Sequence, residues 1–302
     1  MIKMINPEIS GKRYQKEVYN EQFRERYLSP IESLTSVFDI KVQRILRNLQ
    51  AKNLKVIDIG CGNGEKALTF AKNNYVVGLD LSEIGLKTAK EVSKLFKIEG
   101  HCSFLCADAE NLPIRDESFD IAICWAIFEH VPKPLKLIEE VSRVLRNNGR
   151  AIIYTENQKR FLTYGWWYKL LKPKRYAEML KQVGHSEDRF FNVFLLKSDL
   201  EMRGIKVEKV IYVFGVFSWI YDLGVLPLLI NLGNKLIRKR IVEYSTLRTR
   251  EVSRVSLINT LVKVYNVLAT PLLIVLEMLD KPFEHFGISD GIILLAKKEK
   301  AS

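Results

Sequence analysis

The run Val56-Ile57-Asp58-Ile59-Gly60-Cys61-Gly62-Asn63-Gly64-Glu65 sets an acid and a set of glycines where a strand-like apolar stretch gives way to a turn. Glycines there permit a tight turn and close backbone approach to a ligand. The loop amides, with the positive end of a following helix, suit a polar or anionic group. A dinucleotide fingerprint needs a further glycine at position 65, which is Glu65, so the pattern is D-x-G-x-G-x-G. Farther on, Val76-Val77-Gly78-Leu79-Asp80 is a second strand-like run ending on an acid. A carboxylate in that place can accept both hydroxyls of a ribose; the competing reading is that Asp80 only caps the next helix. Loss of such a charge-assisted pair costs about 1.5–3 kcal/mol per bond.

A third acid follows another strand-like run, in Cys106-Ala107-Asp108-Ala109-Glu110-Asn111-Leu112-Pro113. Asp108 can accept the exocyclic amine of adenine while small Ala109 leaves room for the ring, or it is a solvated loop residue. His130, in Trp125-Ala126-Ile127-Phe128-Glu129-His130-Val131, is the candidate general base, because histidine as a residue type ordinarily titrates near neutrality. A purely structural histidine is the alternative, and Glu129 is no stronger a candidate. The cysteines Cys61, Cys102, Cys106 and Cys124 show neither zinc-type pairing nor a disulfide framework. They read as small apolar side chains of a reduced protein. No metal site is expected.

These residues need a frame that brings strand ends together. Strand-like runs fall at Val56–Ile59, Tyr75–Leu79, Cys102–Cys106, Phe119–Cys124 and Ala151–Thr155, with helical runs at Ser82–Phe96 and Pro134–Leu145 between them. Ser82 is a natural N-cap, and Gly149 follows the second helix as a terminator. Such alternation predicts an α/β chain with a parallel, doubly wound sheet covered on both faces. Later, Leu196–Met202 reads as a short helix ended by Gly204, and Val207–Val213 and Gly291–Ala296 read as strands.

From about Leu54 to Glu156 the ordered motifs resemble the class I S-adenosylmethionine (SAM)-dependent methyltransferases. The likeness is to the small-molecule enzymes of the quinone-biosynthesis, sterol and methyltransferase type 11-like kind. It covers roughly a third of the chain. The resemblance implies that Gly60, Gly62 and Gly64 lie against the methionine moiety of SAM and that Asp58 orients its amino group through water. It further implies that Asp80 binds the ribose, Leu81 packs on adenine, and Asp108 with Ala109 holds the adenine edge. It implies a Rossmann-like, seven-stranded, mostly parallel sheet whose last strand is antiparallel, with Gly291–Ala296 as that strand. A helical cap and a helical insertion complete the expected architecture.

The expected organisation is an N-terminal helical segment over 1–50, a SAM-binding core over 51–157, and a basic and aromatic cap with a helix over 158–205. The last two strands follow in 206–302, with a hydrophobic helical insertion at about 214–288. No signal peptide is expected from Met1–Ser10. The net charge of +12 favours an anionic partner or a solvated basic surface. Nucleic acid is disfavoured as acceptor: after the fourth strand Cys124-Trp125-Ala126-Ile127 stands where exocyclic-amine enzymes carry Asn/Asp-Pro-Pro-Tyr/Phe. No Pro-Cys nucleophile occurs, nor the double-Glu loop of arginine methyltransferases.

Two apolar stretches, Val213–Gly233 and about Leu257–Leu279, frame a basic segment that includes Lys235, Arg238, Lys239, Arg240, Arg248, Arg250 and Arg254. As two membrane crossings they would put that basic loop outside, against the positive-inside tendency. Docking on an anionic membrane surface, a lipophilic pocket, a dimer interface and true spans all remain as readings. The expected function is methyl transfer from SAM to an O, C or N atom of a lipophilic small molecule, in a cytoplasmic protein peripheral to the inner membrane surface. An RNA methyltransferase and a non-catalytic, membrane-docked SAM-binding regulator are the alternatives. Oligomeric state and the acceptor's identity are left open by the sequence.

Overall fold

The computed structural model describes residues 52–182, 187, 190–221 and 249–300, together with Lys41, Arg44 and Ile45. Seven strands form one sheet: β1 Lys55–Ile59, β2 Tyr75–Asp80, β3 Cys102–Cys106, β4 Phe119–Trp125, β5 Leu145–Glu156, β6 Ile205–Val213 and β7 Gly291–Lys298. Their order is β3-β2-β1-β4-β5-β7-β6, and β7 alone runs antiparallel to its neighbours. The predicted sheet is therefore present, with the last strand in the predicted sense.

The helices α1 Glu65–Ala71, α2 Glu83–Leu95, α3 Pro134–Val144, α4 Tyr164–Leu171, α5 Pro173–Gln182, α6 Val193–Glu201 and α7 Thr249–His285 surround it. Successive strand residues face opposite sides, and each side has its own core. Ile57, Ile59, Ala122 and Cys124 pack with Leu137 and Val141 of α3 and with Leu196 and Leu200 of α6. Val56, Ile121 and Ile123 pack with Ala67 and Phe70 of α1 on the other side. Strands buried on both faces explain why β1 and β4 read as continuous apolar runs rather than alternating ones.

Local chemistry sets the helix ends that matter for the site. Ser82 caps α2, its Oγ accepting from the Gly85 amide at 3.1 Å, with Glu83 in the first turn and Lys94 in the last. Pro134 opens α3, where its missing N–H removes no helical bond. The end of α3 departs from expectation: Leu145 is already extended and begins β5. The left-handed residue that turns the chain is Asn148 (φ 65°), not Gly149. Asparagine tolerates that region better than other side chains do.

The segment 158–182 contains α4 and α5 and is pinned to the start of β7 by one buried carboxylate. Asp290 accepts from Arg160 Nε at 2.6 Å, Thr163 Oγ1 at 2.7 Å and the Gly165 amide at 3.2 Å. Arg160 also donates to the Tyr176 hydroxyl at 3.1 Å and lies over the Phe190 ring. In the last third, the predicted apolar stretch Leu257–Leu279 is part of α7, a helix of 37 residues that runs through Pro271 and Pro282. Among the described residues no helix is long and apolar enough to cross a membrane. The stretch Val213–Gly233 lies outside the described residues from 222 onward, as do 1–40 and the basic positions 235–248.

Gly64 joins the glycine loop to α1 with φ 80°, and a Cβ there would meet the Ala89 Cβ of α2 at 2.7 Å. Both the left-handed backbone and the contact oppose a side chain. Gly64→Ala is expected to lower stability by about 1–3 kcal/mol, measured as a shift of the urea midpoint with an unchanged slope.

Candidate active site

The strand order reverses between β1 and β4, and in open α/β sheets a ligand crevice forms outside the strand ends at such a point. A cavity of about 370 Å³ opens there, within the range of small-ligand sites. Its walls are the loops after β1, β2, β3 and β4. Asp58, Gly60, Gly62, Asp80, Leu81, Asp108, Ala109 and His130, each singled out from the sequence, all line it. Gly64 does not; it serves the packing of α1 on α2 instead.

The glycine loop is held in place from both ends. The amides of Gly60 and Cys61 donate to the Leu79 carbonyl at 2.7 and 2.9 Å, and the Gly62 amide donates to Asp80 Oδ2 at 2.8 Å. Gly60 and Gly62 both have left-handed backbone, and a Cβ on Gly60 would strike Ile127 Cδ1 at 2.5 Å. Asp80 Oδ1 accepts from the Ser82 amide at 2.7 Å, so this carboxylate ties the β1 loop to the start of α2. The reading of Asp80 as a mere helix cap does not hold. Ser82, not Asp80, makes the side-chain cap, and a carboxylate has lone pairs left after two amide bonds. Burial pushes the Asp80 carboxyl up, and the amides of Ser82, Gly62 and Leu81 oppose that.

Asp58 is buried, and neither of its carboxylate oxygens has a hydrogen-bond partner among the described residues. Burial pushes its carboxyl up to about 7, an effect the backbone of Ala67 and the charge of Lys66 partly offset. A buried carboxylate left without bonds costs free energy, and a cationic donor in the cavity would relieve it. The ammonium of an amino-acid head group is such a donor, so the residues present fit SAM.

Asp108 sits in a loop fixed by α3. Its Oδ1 accepts from the Glu110 amide at 3.0 Å, and Glu110 Oε1 accepts from the Lys133 amide at 2.6 Å. Arg143 binds Glu140 with two bonds of 2.9 and 2.7 Å and also holds the Leu112 and Ile114 carbonyls. A bidentate pair of this kind fixes direction as well as distance.

Lys66 and Trp125 are among the lining residues to which the sequence assigned no role. Trp125 ends β4 and stacks on Tyr154 of β5 with ring centroids 5.0 Å apart. Lys66 Nζ lies 5.0 Å from the Trp125 ring centroid and 2.5 Å from Glu65 Oε1. A lysine in a first helical turn and a tryptophan at a strand end carry no motif; only the fold brings them together. His130 is half-buried at the cavity wall, its amide donating to the Ile127 carbonyl at 2.9 Å. Glu129 points into the protein. Its Oε2 accepts from Thr155 Oγ1 at 3.0 Å, and its Oε1 has no partner among the described residues. Among those residues no group of three potential ligands could hold a metal ion.

The fold is Rossmann-like, with its ligand crevice at the switch point of the sheet. Residues 50–190, a little under half of the chain, match the family described as methyltransferase domain. The chain is similar to methyltransferases that act on small molecules. The ubiquinone biosynthesis O-methyltransferase of Coxiella burnetii is 25% identical over 169 residues, 56% of this chain and 70% of that protein. The 27-O-demethylrifamycin SV methyltransferase of Amycolatopsis mediterranei is 36% identical over 101 residues, 33% of this chain and 37% of that one. In structure, the phosphoethanolamine N-methyltransferase 2 of Haemonchus contortus superposes with a TM-score of 0.57 at 14% identity. That match covers 93% of this chain and 60% of that one, and it speaks to the fold alone.

Burial pushes the Glu129 carboxyl up to about 8, with nearby Glu156 adding to the shift. An unfolded glutamate ionises near 4.3, so between the two values the folded state holds a proton that the unfolded state has lost. Stability therefore falls as pH rises through that window and levels off above it. Glu129→Gln removes the titration. Thermal melts at pH 4.5, 6.5 and 8.5 should show the parent losing several degrees more than the variant, with the gap opening as pH rises.

Proposed function

We propose that this methyltransferase transfers a methyl group from SAM to an oxygen, carbon or nitrogen atom of a lipophilic small molecule. The observation that carries the cofactor half is the buried Asp58 carboxylate beside a glycine loop clamped to Asp80. The reading for the acceptor is supported by relatives named for ubiquinone biosynthesis and for 27-O-demethylrifamycin SV. In this proposal residues 51–157 hold the cofactor, 158–205 form the cap, and the apolar insertion at about 214–288 lies between the last two strands.

Bound SAM supplies a methyl group on a sulfonium, which leaves with the sulfur keeping the bonding pair. The protein's own work is then to bind and align. Asp58 answers the amino group, Gly60 and Gly62 bring backbone against the methionine chain, and Asp80 takes the ribose hydroxyls. Leu81 packs on the adenine, with Asp108 and Ala109 at its edge. The clamped loop keeps these groups from shifting. Where the acceptor atom must lose a proton, His130 is the lining side chain suited to receive it.

The expected outcome with methyl-labelled SAM and a cell extract is label in the organic-extractable fraction. Asp80→Ala should weaken SAM affinity at least tenfold by calorimetry and cut transfer in parallel. Label in RNA, removed by RNase, would favour an RNA methyltransferase. Tight SAM binding with no label in any fraction would favour a regulator.

A membrane-facing reading is supported by exposed apolar side chains on the last turns of α7, among them Val267, Leu268, Leu272, Val275 and Met278. Leu170 and Leu171 of α4 are also exposed, beside exposed Lys169, Lys172, Lys174 and Arg175. An aromatic chain links the two helices: Tyr164 meets Trp219 at 5.6 Å, and Phe217 meets Phe283 at 5.7 Å. Apolar and basic groups together suit the surface of an anionic bilayer. The protein should float with vesicles containing anionic lipid and release at high salt. A chain that stays at the bottom of the gradient with those vesicles counts against docking.

A further inference from the structure

The cavity is lined by four carboxylic side chains, Asp58, Glu65, Asp80 and Asp108, and among the described lining residues Lys66 is the one lysine or arginine. SAM brings two positive centres, the sulfonium and the ammonium, and one negative one, the methionine carboxylate. An acidic lining suits the first two and repels the third. A cation beside the carboxylate would offset that repulsion, and among the described lining residues Lys66 is the one that carries a permanent positive charge.

Lys66 is an odd residue for its position. It is the second residue of α1, directly after the glycine loop. A cation in a first helical turn is opposed by the helix dipole, where acids are favoured. Residues that break a local rule mark functional sites more often than chance. Its stem is mostly covered, with the side chain 19% exposed, and its Nζ is held at Glu65 and over the face of Trp125. That arrangement keeps the ammonium at the cavity wall rather than out in solvent.

Lys66 also acts on Asp58, the buried carboxylate without hydrogen-bond partners. A cation and an anion on either side of one glycine loop complement an α-amino acid head, which carries an ammonium and a carboxylate on the same carbon. We infer that Lys66 binds the methionine carboxylate of SAM and sets the enzyme's preference for the intact amino-acid head group. Glu65 holds the lysine in readiness, and its pairing yields to the ligand carboxylate. The inference rests on the SAM reading of the cavity and adds to it a residue that the glycine motif does not contain.

Decarboxylated SAM provides the test, because it keeps the sulfonium, ammonium, ribose and adenine and lacks only the carboxylate. Binding of SAM and of decarboxylated SAM is measured by calorimetry for the parent, Lys66→Met and Lys66→Arg. Lys66→Met should weaken SAM about tenfold or more, the scale of one charge-assisted bond, and leave decarboxylated SAM within twofold of the parent. Lys66→Arg should retain most of the SAM affinity. Retained binding of decarboxylated SAM also reports that Lys66→Met is folded. Equal weakening of both ligands, or unchanged SAM affinity in Lys66→Met, overturns the inference while leaving the SAM site intact. A parent that binds neither ligand would overturn the cofactor reading itself, and this inference with it.

Discussion

The structure turns on one half-buried carboxylate, Asp80, that holds two backbone amides from different elements. It adds to the bonds that the Gly60 and Cys61 amides make to the Leu79 carbonyl and carries the loop after β1 on to the turn into α2. Two amide bonds to an ionised acceptor stabilise by about 1.5–3 kcal/mol each against loss of the acceptor. The carboxyl is nonetheless pushed upward by its burial, so the clamp and the burial work against each other. A ribose hydroxyl donating to the remaining lone pairs would favour the charged form further. Such a ligand and the loop would share one acceptor.

The charge of the site runs opposite to that of the chain. The sequence carries +12 overall, yet the cavity is lined mainly by acids. Surface lysines far from the cavity are screened within about 10 Å at moderate salt, so they contribute little to the potential inside. The local acids decide what enters, and a ligand with two positive centres is favoured by them. Lys169, Lys172, Lys174 and Arg175 do not line the cavity and are exposed.

Much of this was readable from residue order. The sheet followed from the spacing of apolar runs, because strands buried on both faces leave continuous Val, Ile and Leu that helices interrupt. Asp58, Asp80 and Asp108 were visible because each stands just inside or after such a run. Other features are invisible to spacing. Gly64 shares a motif with Gly60 and Gly62, yet its lack of a side chain serves Ala89 of a different helix. Asn148 takes the left-handed turn beside a glycine that does not need it. Helix α7 continues through Pro271 and Pro282, although each proline removes a helical donor. Lys66 and Trp125 meet only because the first turn of α1 and the end of β4 converge on the same crevice.

Trp125 also connects the cavity to the far side of the sheet. It pairs in register with Tyr154, on which it stacks, and Tyr154 in turn pairs with Ile293 of β7. At the start of β7, Gly291 has no room for a side chain: a Cβ there would sit 2.8 Å from Tyr154 Cε2 and 3.1 Å from Val213. A larger residue would push Tyr154, and through it the wall of the cavity. Gly291 is paired to Glu156 on one side and Val213 on the other, so the register of both neighbouring strands is fixed where β7 begins. The chain therefore leaves the sheet at Val213 and re-enters it at Gly291 side by side, so the two ends of the long connection between β6 and β7 are held in register with each other and with Glu156.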